Sequence, residues 1–203
     1  MNRLFIDSSF KSCSLLLDKD GQTFFKKNTT VKSFAEDVIL DISEIAKQAG
    51  IKTKDIDQIY LTIGPGSYTG IRIPLTIAKT YAFLNPKIEV YALNSIKALT
   101  LGNYDPVMGI EDARNEAFYL GIYQGDKELV APARYEKDQA LELIEKYKPT
   151  LVSTIESSQL ISSELLTSVQ GKDIARLMYE NYQQIPLIKD VLALAPIYLE
   201  SQR

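Results

Sequence analysis

Gly64-Pro65-Gly66-Ser67-Tyr68-Thr69-Gly70-Ile71-Arg72 follows the short apolar run Ile59-Tyr60-Leu61-Thr62-Ile63 and leads into the apolar-rich stretch Ile73 to Leu84. The run reads as a buried strand, and the stretch reads as a helix. Glycines at a strand-to-helix turn let the backbone approach a ligand, and the helix start offers unpaired N–H groups to an anion. Ser67 and Thr69 add side-chain donors. Gly64, Gly66, Ser67, Thr69 and Gly70 are therefore read as an anion-facing loop, against the plainer reading of a tight turn without a ligand. The pattern is neither the Gly-Lys-Ser/Thr phosphate loop nor Gly-x-Gly-x-x-Gly.

Upstream, residues 3–7, 13–18 and 22–27 read as strands, the last two joined by the hairpin turn Asp18-Lys19-Asp20-Gly21. Residues 33–49 read as an amphipathic helix opened by a Ser33/Glu36 capping box and ended by Gly50. Downstream, residues 88–92 read as a strand and 95–101 as a short helix. Gly102-Asn103-Tyr104-Asp105-Pro106 marks a boundary. Beyond it, strands are expected at 107–110, 117–123, 127–130 and 150–154, with helices at 137–147 and 171–182. The second half thus repeats the order of the first in reduced form. Two lobes follow, 1–103 with a mixed sheet and 104–203 smaller, the last residues packing back on the first.

The chain has 203 residues, 45% of them hydrophobic, enough for a sizeable core. With 23 basic and 26 acidic residues the net charge is −3, which argues against a free-standing nucleic-acid binder with a basic face. Histidine is absent, which removes the commonest metal ligand and the usual neutral-pH base. The single cysteine, Cys13, sits in an apolar strand without a histidine to activate it. No apolar run approaches the ~20 residues of a membrane span. The N-terminus enters a strand at once, so a leader peptide is not expected, and the expected location is cytoplasmic.

From Ile71 to Leu84 only Arg72 and Lys79 are charged. A helix apolar nearly all round must be buried on more than one side. The second side is read as another subunit, against the alternative of a central helix covered by its own domain. Small residues Ala78 and Ala82 would allow close approach, and Phe34, Val38 and Ile42 give the preceding helix a similarly wide apolar face.

Gly64 to Arg72 resembles the GPGSFTGxR signature of the TsaB (YeaZ) family. Phe5-Ile6-Asp7-Ser8-Ser9 with Cys13-Ser14-Leu15 resembles that family's opening strand, loop and second strand. Asp112-Ala113-Arg114 with Glu116-Ala117-Phe118-Tyr119 resembles its DAR-x-x-E-V-Y element, and Ala195-Pro196-Ile197-Tyr198-Leu199 its closing P-x-Y-L. The matches keep one order from end to end. The resemblance implies an α/β, two-lobed actin/sugar-kinase-like (ribonuclease H-like) duplicated fold with a reduced second lobe. It implies a non-catalytic subunit for threonylcarbamoyl transfer to the adenosine beside the tRNA anticodon. Such a subunit organises the catalytic subunit TsaD together with the ATPase TsaE, pairs with itself when alone, and meets tRNA only through the complex. In the superfamily, acidic residues at the ends of the first strands face a cleft holding nucleotide and a divalent metal. By that resemblance Asp7 and Asp112 flank a cleft, retained or vestigial, with Ser8 and Ser9 opposite Ser67 and Thr69, and with Arg114 nearby. The alternative for each aspartate is a residue capping its turn. No catalytic residue and no metal ligand is assigned. No cofactor is required by the chain itself, and ATP or ADP with Mg belongs to the complex. The partner surface is assigned to Phe34, Val38, Ile42, Ile71, Leu75, Ala78 and Ala82.

The chain departs from the family at three places. Ser33-Phe34-Ala35-Glu36 stands for the usual Asn-His-Ser-Glu, Pro74 for a glycine, and Glu200 for a closing arginine. Pro74 implies that the helix either starts late or bends. A small Mg-ATP-dependent metabolite kinase built on Asp7 and Asp112 is the alternative function. A glycoprotease-like peptidase, lacking any histidine-based pair, ranks last.

Overall fold

The structure, a computed structural model, describes residues 1–29 and 34–199, and of residues 34 and 35 the backbone alone. The Ser33/Glu36 capping box, the Phe34 side chain and Glu200 lie outside the described residues.

The strands β1 (Asn2–Asp7), β2 (Cys13–Lys19) and β3 (Gln22–Asn28) form an antiparallel meander, and α1 (Phe34–Gln48) follows it. Next come β4 (Gln58–Thr62), α2 (Tyr68–Leu84), β5 (Glu89–Leu93) and the short α3 (Ser95–Ala98). The second half repeats the series as β6 (Val107–Asp112), β7 (Ala117–Gln124), β8 (Lys127–Glu136), α4 (Lys137–Tyr147), β9 (Thr150–Thr154), α5 (Ile155–Leu165), β10 (Gln170–Lys172) and α6 (Ile174–Glu180). The sheet orders are β3-β2-β1-β4-β5 and β8-β7-β6-β9-β10, so the two five-stranded sheets are topological copies. In each copy the meander is antiparallel, and the remaining strands join in parallel through helical crossovers.

Period-2 alternation divides the core. Leu4, Ile6, Leu15, Leu17, Ile59 and Leu61 point to a cluster under α1 and α2. Phe5, Leu16 and Tyr60 point the other way, into a cluster shared with Ile96, Leu99, Val107, Val152, Ile174 and Met178. That second cluster joins the lobes. α6, from the end of the chain, packs on β1 and β2, whereas α3, from the first half, packs on β6 and β7. Each lobe therefore lends a helix to the other's sheet. The far face of the second sheet is closed by a third cluster that includes Met108, Ile110, Phe118, Leu120, Ala140 and Ile161. The layers run α1/α2, first sheet, α3/α6, second sheet, α4/α5. On the shared side the rings of Phe5, Tyr60 and Tyr91 stack across β1, β4 and β5, with centroids 4.5 Å apart at each step. Lys27 Nζ adds a polar tie, bonding Glu156 at 2.7 Å and Asp173, the N-cap of α6, at 3.1 Å. Burial opposes the Lys27 charge, but these two partners outweigh it and raise its pKa.

The chain then returns to the first lobe. Ile188 N–H donates to Val90 at 2.8 Å, and Ile197 N–H donates to Ile63 at 2.7 Å. Ile188, Val191, Leu194 and Ile197 add to the first core. This strap covers the open edge of β5, where unpaired backbone groups would otherwise invite aggregation.

Two expectations are corrected here. The helix placed at 171–182 is shorter, since Gly171 belongs to β10 and the helix covers Ile174–Glu180. α5 falls where no helix was expected. Its serines have weak helix propensity, and the i, i+4, i+8 set Ser157, Ile161, Leu165 is what it buries. Pro74 lies well inside α2, which begins at Tyr68. A proline there cannot donate to the carbonyl four residues back, that of Gly70. Ser8 Oγ fills the gap, donating to the Gly70 carbonyl at 2.7 Å.

Removing a buried donor strands its acceptor. Ser8→Ala is therefore expected to cost about 1–3 kcal/mol of unfolding free energy. In a Pro74→Ala background, where residue 74 can donate to Gly70 itself, the same change should cost about 1 kcal/mol less. Urea denaturation of the four proteins in the cycle checks this. Equal costs in both backgrounds would separate Ser8 from Pro74.

Candidate functional site

The loop between β4 and α2 is held against the turn between β1 and β2 by the chain's own backbone. Ser67 N–H donates to the Ser9 carbonyl at 2.6 Å, and Ser67 Oγ, as N-cap, accepts from Gly70 N–H at 3.0 Å. A Cβ on Gly66 would collide with the Ser9 carbonyl, and one on Gly70 with the Ser8 carbonyl. Gly64, at φ +107°, meets the Ile197 carbonyl of the strap. The expected close approach is real, but what approaches at these glycines is the protein itself. Ser8 and Ser9 are fully buried, and Asp7 is 3% exposed.

Behind the loop runs a chain of hydroxyls. Thr62 Oγ1 donates to Asp7 Oδ1 at 2.6 Å. Ser9 Oγ lies 2.7 Å from both Thr62 Oγ1 and Ser95 Oγ, and Gly64 N–H donates to Ser95 Oγ at 3.2 Å. Each hydroxyl has one proton. With Thr62 committed to the carboxylate, Ser9 must donate to Thr62 and Ser95 to Ser9. Every bond then points toward Asp7. Burial still dominates that carboxyl and pushes its pKa up to about 6, against the lowering effect of Thr62 and Ser9.

The second lobe holds an equivalent that the sequence reading missed. Extending the β1–β4 register from Ile6↔Leu61 puts Thr62 beside Asp7. Extending the β6–β9 register from Gly109↔Val152 puts Thr154 beside Glu111. Glu111 is 1% exposed, and it accepts from Thr154 N–H at 2.5 Å and Ser153 Oγ at 2.8 Å. Burial raises its pKa, while the hydroxyls of Thr154 and Ser157 face the same carboxylate. Neither of those hydroxyls makes a hydrogen bond of normal geometry. Asp7 and Asp112 each close the first strand of their lobe, as expected, but the register match of Asp7 is Glu111. Asp112 instead accepts Arg114 N–H at 2.7 Å, the turn-capping role weighed against it. Residues 114–116 follow in the left-handed region, at φ 63°, 54° and 55°, a costly run for side-chain-bearing residues. Among the described residues no ion pair joins Arg114 to Asp7 or Asp112.

The two turns face each other across a cleft of about 450 Å³ bordered by Ser9, Gly66, Ser67, Asp112 and Arg114, with Lys11, Glu111 and Ser157 among its other walls. Asp7, Ser8, Gly64 and Gly70 stand behind it. Thr69 faces a different groove. The superfamily cleft implies a Mg-nucleotide; of the aspartates expected there, Asp112 borders the cleft and Asp7 stands behind it. Asp7 and Glu111 are held inside by their own partners. Among the described residues no group of three or more His, Cys, Asp or Glu side chains is placed to hold a metal ion. Cys13 is 2% exposed, and burial pushes its thiol to about 12.

The helical face also needs correction. Val38, Ile42, Leu75 and Ala78 point into the protein's own first core, because they form the inward stripe of each helix, and Ile71 is fully buried. Ala82 is half-buried against it. The outward residues are others, Ile39 at 58%, Leu40 at 65%, and Phe83 and Leu84 at 75% exposure. Ile39 shares a groove of about 260 Å³ with Tyr68, Thr69, Arg72, Ile73, Thr76 and Ile77.

The duplicated sheets, the cleft between two turns and the helices on the outer faces define a two-lobed α/β protein of the actin- and sugar-kinase-like class. A family model described as "TsaD: tRNA N6-adenosine threonylcarbamoyltransferase" matches residues 28–170. The chain belongs to this family, and its named relatives are TsaB (YeaZ) proteins. The tRNA threonylcarbamoyladenosine biosynthesis protein TsaB of Bacillus subtilis is 36% identical over 105 residues, half of this chain and 43% of that protein. The TsaB of Escherichia coli is 24% identical over 208 residues, 96% of this chain and 86% of that one. A crystal structure of a Pseudomonas aeruginosa protein with similarity to peptidase YeaZ has a TM-score of 0.77 at 18% identity. The match covers 98% of this chain and 99% of that one.

Because the folded-state pKa of Asp7 lies above its usual 3.8, the native state holds the extra proton in that window. Stability should therefore fall as pH rises from about 4 to about 6. Asp7→Asn should flatten that decline by an amount on the order of 2–3 kcal/mol. Chemical denaturation of both proteins at pH 4, 5, 6 and 7 reads the difference. An unchanged slope would contradict the buried, proton-holding carboxyl.

Proposed function

We propose that this protein is a non-catalytic subunit in the formation of threonylcarbamoyladenosine on tRNA. It docks a TsaD-like catalytic subunit on the outer face of α1 and α2. A TsaE-like ATPase joins at the level of the complex, and a homodimer forms on the same face when the partner is missing. The observation that carries this reading is the pair of neighbouring helices exposing Ile39, Leu40, Phe83 and Leu84, each more than half accessible. Large exposed apolar side chains grouped on one face mark interaction surfaces. The relatives' printed role in tRNA threonylcarbamoyladenosine biosynthesis supplies the pathway.

The interior of the cleft supports the absence of catalysis. Chemistry needs a base or nucleophile poised near a substrate, and the carboxylates, serines and glycines here are engaged with one another. On this reading nucleotide and Mg, where required, are bound within the assembled complex, tRNA is met through it, and the assembly is cytoplasmic. The metabolite-kinase alternative would need Asp7 to turn outward from Thr62, against its burial and its hydrogen bonds.

The purified chain alone should neither hydrolyse ATP nor modify tRNA above background. Turnover abolished by Asp112→Asn would favour the kinase. Ile39→Glu, at a position 58% exposed, should leave the fold intact and weaken association with the TsaD-family subunit by about 2–4 kcal/mol, the range of an interface hot spot. Ala78→Glu, at a position with 0% exposure, should unfold the protein instead. Circular dichroism melting and sedimentation separate the two variants. Normal pairing by a folded Ile39→Glu variant would move the interface elsewhere.

A further inference from the structure

Arg72, like Arg114 and Arg176, has no ion pair among the described residues. Arg3, Lys26, Lys27 and Arg134 each pair with a carboxylate. Arg72 has no acidic partner among the described residues, and two phenols hold it instead. Its Nε donates to Tyr198 Oη at 2.9 Å, and its Nη1 donates to Tyr68 Oη. The guanidinium lies over the Tyr68 ring at 3.7 Å and near the Tyr198 ring at 5.9 Å, and the two rings are 21° from parallel. Tyrosines orient a guanidinium without neutralising it. A long side chain fixed in advance loses little further freedom on binding, and the planar fork matches a carboxylate.

The setting supplies the rest of the partner's description. Arg72 and Tyr68 close one end of the apolar groove of Ile39, Ile73 and Ile77. Ile73 and Ile77 are one helical turn apart, so the groove runs along α2. The only charged side chains of α2 are Arg72 and Lys79, both cationic. We propose that the Tyr68–Arg72–Tyr198 clasp receives a carboxylate from the partner protein, presented at one end of a helix whose next turn places an apolar side chain between Ile39 and Ile77. This rests on the reading that α1 and α2 dock a partner protein. Tyr198 comes from the C-terminal strap, which Ile197 ties to Ile63, so the strap completes the receptor. A nucleic-acid occupant is disfavoured by the apolar walls and by the net charge of −3, since phosphate binding draws on many cations at once.

The test is calorimetric titration of the full-length protein with the TsaD-family subunit at low and raised salt, after melting curves confirm each fold. Arg72→Gln should weaken binding about tenfold or more and remove most of its salt dependence. Arg72→Lys should not restore it, because lysine has no planar fork to stack on Tyr68 while bonding Tyr198. Arg72→Glu should be rescued by reversing one acidic residue of the partner to lysine. If Arg72→Gln and Arg72→Glu bind as wild type while Ile39→Glu does not, the docking face stands and the carboxylate anchor is overturned. If Ile39→Glu also binds normally, the docking reading itself fails. If Arg72→Gln alters only tRNA affinity or self-association, the occupant is a nucleic acid or a second copy, and the proposal is equally overturned.

Discussion

The Ser9 carbonyl receiving the Ser67 N–H at 2.6 Å is the contact on which the centre of the molecule depends. It presses the turn after β1 against the loop before α2. Only glycine at positions 66 and 70 lets the two backbones come so close. The same turn places Ser8 under the carbonyl that Pro74 leaves free, and Ser9 in the hydroxyl chain between Asp7 and Gly64. Loop, helix start and first strand are therefore one rigid unit. α2 leaves that unit in a fixed direction, which sets the outer face of the first lobe.

The second constraint is the exchange of α3 and α6 between the sheets. Neither sheet has a complete second layer from its own half of the chain, so the shared cluster of Phe5, Tyr60, Ile96, Val107 and Met178 forms only when both halves are present. This joins two copies of one motif into a single body, with the Lys27–Glu156–Asp173 tie at its edge. The strap then closes the β5 edge and delivers Tyr198 to α2. Sequence-distant segments thus meet at the outer face of α2, where Tyr198 reaches Arg72.

Much of the architecture was legible in the chain. The three-strand meander, α1, the strand–loop–helix around Gly64 and the repeated order of the second half all followed from periodicity and turn chemistry. α5 did not, because Ser157, Ser158, Ser162 and Ser163 blur the helical stripe. Glu111 did not, because its match to Asp7 is a matter of strand register, and no linear spacing records it. The outward residues of the helices did not either. A nearly all-apolar helix gives no sign of which stripe meets its own sheet. Val38, Ile71, Leu75 and Ala78 proved to be core, and Ile39, Leu40, Phe83 and Leu84 the outer residues.

By itself the sequence determined the strand and helix types, the duplication, the absence of histidine chemistry and the place of the loop. Those properties depend on residue type and near-neighbour spacing. Only the tertiary structure decided what the loop touches. Glycines and hydroxyls at a helix start suit a phosphate or a neighbouring turn equally well. The choice fell to the turn after β1, because pairing β1 between β2 and β4 brings Ser8 and Ser9 against the loop and gives its donors and glycines an internal partner.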